Sequence, residues 1–151
     1  MTQVTVFQPS RALLAKAAVA AAAGAAALAT IGSYGNDDQW SHVPFLIGIA
    51  VVVSAFVFGL LVPRALRAID NGAPSATRWI LGHGVAAVML LVVFWTGAEL
   101  IVGTAAILLA LTGRRRATGS GTPYRVTLWL AGSAMALSVI WTVVSAAALG
   151  K

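Results

Sequence analysis

Five apolar runs, separated by short polar segments, set the pattern of this chain. They cover residues 12–31, 44–63, 79–95, 98–112 and 124–149. The stretch from Trp79 to Thr112, apolar almost throughout, governs the count. As one helix at about 1.5 Å per residue it would extend roughly 50 Å, against a hydrocarbon core of about 30 Å. Two spans joined at Thr96-Gly97-Ala98-Glu99 fit instead, as a tight hairpin. The expected fold is therefore all-α: one domain, residues 1–151, built as a bundle of five transmembrane helices.

The runs differ in character. The first is dominated by alanine, with Ala21, Ala25 and Ala29 at four-residue spacing beside Gly24 and Ala17. Such a face lets helices approach closely, which suits packing inside a bundle or on a partner. Ser10, after Pro9, is placed to cap this helix. Arg11 and Lys16 ahead of small residues at Ala27-Leu28-Ala29 also resemble a secretory signal peptide, but an uncleaved first span is the reading adopted. Pro44 opens the second span and Pro63 is taken to close it. Arg64 to Arg78 then reads as a loop centred on Asn71-Gly72-Ala73-Pro74-Ser75, and Gly113 to Pro123 as a flexible basic loop.

Composition agrees with a lipid solvent. The chain is 60% hydrophobic and 9% charged, whereas a soluble domain carries about 25% charged residues. Its net charge of +6 sits in short clusters between apolar runs, not on a soluble basic face, so nucleic-acid binding is excluded. With no cysteine there is no disulfide, thiolate nucleophile or cysteine-ligated cluster.

Charge also orients the bundle. Arg11, the Arg64–Arg78 segment and the Arg114–Arg125 segment alternate with an acidic first loop and the Glu99 turn. Positive segments stay in the cytoplasm, so five spans put the N-terminus inside and the C-terminus outside a bacterial plasma membrane. The tryptophans agree: Trp40 and Trp95 fall at the outer boundary, Trp79 at the inner one, and Trp129 and Trp141 near opposite ends of the last helix.

Candidate chemistry is sparse. Glu99 is the one acidic residue within an apolar run, and intramembrane carboxylates commonly serve proton or cation movement. A carboxylate near a hairpin tip, favourable to the start of the fourth helix, is the structural alternative. Asp37, Asp38 and His42 share the outer side with Glu99 and together form the candidate proton or cation site. His83 and the run Arg114-Arg115-Arg116 lie at the inner side as candidate headgroup contacts. His42 and His83 fall near opposite faces, roughly 20–25 Å apart, too far to share an ion or haem. Phosphate-cradling, dinucleotide, zinc-protease and nucleophile-elbow motifs are absent, so no catalytic residue, metal or cofactor is expected.

Val43-Pro44-Phe45-Leu46-Ile47-Gly48, Val62-Pro63-Arg64-Ala65-Leu66-Arg67 and Phe94-Trp95-Thr96-Gly97, followed by an arginine run, together resemble small multi-pass membrane proteins of high-GC Gram-positive bacteria. The likeness covers residues 40 to about 116. It implies a plasma-membrane location and the same hairpin, and it carries no activity and no functional residues. The expected function is a non-enzymatic accessory subunit or small homo-oligomer, partnered by lipid and by another membrane subunit or itself. A small proton- or cation-translocating protein using Glu99 is the alternative.

Overall fold

The computed structural model describes residues 9–33, 40–116 and 121–149. Five helices account for nearly all of them, with no strand among the described residues. They are α1 (Arg11–Gly32), α2 (Val43–Asp70), α3 (Ser75–Met89, continued by a 3-10 segment Leu90–Thr96), α4 (Ala98–Arg116) and α5 (Thr122–Leu149). Four stretches are long and apolar enough to cross a membrane: Arg11–Gly32, Val43–Asp70, Ser75–Val93 and Thr122–Ala148.

The chain does turn back at Gly97, which adopts φ +66°. Only glycine takes this left-handed conformation without cost. Thr96 secures the corner: its Oγ1 donates to the Val93 carbonyl (2.9 Å) and accepts from the Ala98 N–H (3.3 Å). A Cβ at Gly97 would lie 2.7 Å from the Ala25 Cα, so the tip rests directly on the backbone of α1. Ala21, Ala25 and Ala29 are accordingly buried, and the small-residue face of α1 is used inside the bundle.

Helix α4 is the centre of the molecule and packs against all four other helices. Ile101, Ala105, Ala106, Leu109 and Ala110 have no exposed surface. Two glycines set how closely it is approached: a Cβ at Gly103 would meet Met135 of α5 at 2.8 Å, and one at Gly113 would meet Tyr124 of α5 at 2.6 Å and Ile80 of α3 at 2.8 Å. Ile80 and Gly113 stand nearly equidistant in sequence from Gly97, as an antiparallel hairpin requires.

Three boundaries differ from the sequence expectation. Pro63 does not close the second helix; α2 runs on to Asp70. A proline inside a helix lacks an N–H and presses on the carbonyl four residues back. Here a π-turn, Val57–Leu61, precedes it, with the Val62 N–H bonded to the Val57 carbonyl, and the widened ladder absorbs the ring. The expected loop of residues 64–78 thereby shrinks to the short turn 71–74. Gly72 (φ +60°) terminates α2, with Gly72 N–H donating to the Ile69 carbonyl and Ala73 N–H to the Ala68 carbonyl. Finally, α4 continues through Arg116, its last turns anchored where Gly113 meets Tyr124 and Ile80. Ser10 caps α1 as expected, accepting from the Leu13 N–H at 3.1 Å.

Successive helices alternate in direction. Pro9, Arg11 and Leu14 at the start of α1 share a recess of about 330 Å³ with Pro63, Leu66, Arg67 and Asp70 at the end of α2. The end of α4 meets the starts of α3 and α5. Arg11, Arg67, Arg78, Arg114, Arg115 and Arg125 therefore gather at one end of the bundle. The hairpin tip and the contact of Gly32 with Thr142 mark the other.

Large apolar side chains also cover much of the outside. On α5 the buried positions are Thr127, Ala131, Ala134, Ser138 and Thr142, while Trp129, Leu137, Ile140, Trp141 and Val144 are exposed. On α2, Phe45, Val51, Val52 and Phe56 face outward. Water would penalise such a surface heavily, since a soluble monomer seldom exposes an apolar patch above a few hundred Å². Buried hydroxyls find local acceptors: Thr112 and Thr127 donate to the carbonyls of Leu108 and Pro123, and Ser54 of α2 donates across to the Ala18 carbonyl of α1 at 2.8 Å.

Replacing Gly97 with alanine should cost roughly 2–4 kcal/mol, combining backbone strain with displacement of α1. Gly72→Ala, equally left-handed but facing open space, should cost only about 1–2 kcal/mol. Thermal or denaturant unfolding in detergent compares them, and equal losses would show that the contact with Ala25 contributes nothing.

Candidate functional site

Two buried polar side chains stand apart from the hydroxyls, and they lie in different halves of the bundle. Glu99 occupies the first turn of α4, directly after the Gly97 corner. Its position at a helix start matches the expectation from sequence, but its carboxyl group points into the bundle and has no exposed surface. The Ser138 hydroxyl of α5 donates to Oε1, while Oε2 has no hydrogen-bond partner. A buried carboxyl oxygen left in this way needs a proton of its own or a bound cation to offset its lost solvation.

Ser138 was not evident as a partner in the sequence. The available signal was the spacing of Thr127, Ala131, Ala134, Ser138 and Thr142, small residues three or four apart that define one face of a helix. Hydroxyls on that face point toward whatever polar group the bundle encloses.

Of the other expected members of the outer cluster, His42 alone lies among the described residues. His42 is exposed and precedes α2, and no group of three metal-ligating side chains occurs among the described residues. Asp37 and Asp38 lie outside the described residues, as do the side chains of Trp95 and Arg116.

His83 sits two turns into α3 and is 6% exposed. Its Nδ1 lies 2.7 Å from the Trp79 carbonyl, so that nitrogen carries the proton and donates it. The Trp79 and His83 rings are tilted by 39° with centroids 6.0 Å apart. Nε2 is buried and has no hydrogen-bond partner. His83 lines a recess of about 390 Å³ together with Leu61, Ser75, Arg78, Trp79, Gly82 and Ala86. Arg114 and Arg115 are exposed and do not line it, so the expected headgroup contacts divide between two places.

A double-mutant cycle measures what the inner pair contributes. Ser138→Ala, Glu99→Ala and the double variant should give a coupling energy of about 0.5–2 kcal/mol in detergent unfolding. A coupling indistinguishable from zero would show that the hydroxyl and the carboxyl group do not stabilise each other.

Compared with protein-family models, with curated proteins and with solved structures, this chain matches none.

Proposed function

We propose that the chain is a small integral membrane protein of the bacterial plasma membrane that works without catalysis, by lateral association, as an accessory subunit or small homo-oligomer. Five crossings, N-terminus inside and C-terminus outside, accommodate both the alternation of the helices and the collection of arginines at one end. On this reading helix α4 crosses as well, despite Glu99 and its arginines, because the other helices enclose it and it meets little lipid.

The observation that carries the reading is the outer face of α2. Gly48, Val52, Ala55 and Gly59 are all exposed and fall on one side of the helix at spacings of four, three and four. A Cβ at Gly48 or Gly59 would meet nothing within 4 Å. Glycine inside a helix costs about 0.5–1 kcal/mol relative to alanine. The glycines at 84, 97, 103 and 113 offset that cost through close contacts within the bundle. Those at 48 and 59 have no such contact in the monomer, and a small-residue face in lipid suits a second helix. The concrete form of the reading is two copies meeting along α2.

The native chain has no cysteine, so single cysteines report cleanly. Val52→Cys should crosslink two copies in intact membranes, and Gly59→Leu should abolish the crosslink while changing monomer stability by less than about 0.5 kcal/mol. In the same cells Asn71→Cys should be shielded from an impermeant thiol reagent and His42→Cys labelled by it. Failure to crosslink, or a crosslink indifferent to Gly59→Leu, removes pairing through α2.

The unpartnered Oε2 of Glu99 favours a second reading, a small protein that moves protons or cations. Proteoliposomes loaded with a pH-sensitive dye should then show a flux that Glu99→Gln abolishes. Equal flux in both would dismiss it.

A further inference from the structure

We propose that the recess between α2 and α3 holds the phosphate and glycerol portion of one anionic phospholipid. Three independent features converge there. The first is the start of α3, which has neither a side-chain cap nor an acidic residue in its first turn. The Ala76 N–H is bonded to the Ala73 carbonyl, and the positive end of the helix dipole, met by no acidic side chain, suits a phosphate. Ser75 and Arg78, both exposed and both lining the recess, add a hydroxyl and a guanidinium at the same level.

The second is His83. It lies about 7–8 Å along the helix from Arg78, toward the middle of the bundle. With Nδ1 committed to the Trp79 carbonyl, the ring has one free position, Nε2, and it is buried without a partner. In the charged ring Nε2 donates to an ester oxygen. Acyl ester oxygens lie on the glycerol backbone of a phospholipid, immediately inward of its phosphate. A free inorganic anion at Arg78 would leave Nε2 as it is.

The third is shape. The recess is about 390 Å³, and beyond its polar mouth it is walled by Leu61, Trp79, Gly82 and Ala86. Gly82 is exposed, and a Cβ there would meet nothing within 4 Å, so the missing side chain keeps the recess clear. An apolar wall below a cationic mouth fits an acyl chain hanging from a phosphate. The proposal needs the membrane but not pairing through α2, because its residues lie on the other contact face of that helix and on α3.

Native mass spectrometry of the delipidated full chain, titrated in detergent with dioleoyl phosphatidylglycerol or dioleoyl phosphatidylcholine, tests it. The wild-type chain should retain one phosphatidylglycerol in preference to phosphatidylcholine. Arg78→Gln should weaken that retention about fivefold. Gly82→Leu, which fills open space and leaves the bundle's contacts untouched, should abolish it. Nitrogen-15 spectra should show the His83 Nε2 resonance moving with phosphatidylglycerol in the wild-type chain and staying fixed in Gly82→Leu. Equal retention of the two lipids, or Gly82→Leu binding as well as wild type, would overturn the site. Displacement of the lipid by equimolar glycerol 1-phosphate would overturn the assignment to a lipid in favour of the free phosphate ester.

Discussion

The arrangement of this bundle depends on one close approach, that of the Gly97 corner to the backbone of Ala25. Any side chain at either position larger than those present would hold the hairpin tip away from α1. With both small, α3 and α4 fold against each other and α4 is drawn to the middle, where all the other helices reach it. The same economy of side chains recurs down α4, at Gly103 against Met135 and at Gly113 against Tyr124 and Ile80. Close backbone contact of this kind replaces the hydrophobic drive that a soluble bundle would use and that lipid does not provide.

Placing α4 in the centre accounts for the distribution of polarity. The enclosed helix carries the buried carboxylate Glu99, whose partner comes from the small, hydroxyl-bearing face of α5. Phe45 and Phe56 of α2 and Trp129, Leu137, Ile140 and Trp141 of α5 lie on the outside. Among the described residues, the two buried side-chain polar atoms without hydrogen-bond partners, Oε2 of Glu99 and Nε2 of His83, belong to different ends of the same hairpin. They are unlike in kind: one is sealed by helices on every side, and the other borders a recess with a basic mouth.

Much of this was legible in the sequence, for identifiable reasons. The length of the Trp79–Thr112 run against a bilayer's thickness located the corner, and the alanine spacing on the first helix identified the face that receives it. The end of α2 was misread because Pro63 is a strong stop signal, and the π-turn that accommodates it leaves no mark in the sequence. The inward orientation of Glu99 was not legible either. A residue one turn past a corner can face lipid, headgroup or core, and only the packing of α5 against α4 decides among them. Asp37 and Asp38 lie outside the described residues, so their grouping with Glu99 stands as read from charge alone.

The enclosure of α4 bears on how such a protein could be made. A segment ending in Arg114-Arg115-Arg116 and beginning near Glu99 is a poor candidate for release into lipid by itself. On the proposed five-span reading its insertion would be cooperative, with α3 and α4 entering the bilayer as a pair against α1. Helix α5, synthesised after α4, would then bring Ser138 to the carboxyl group and complete the enclosure. On that reading the polarity of the innermost element would order the biogenesis of the chain, and a ribosome stalled before residue 122 would leave that element partly bare.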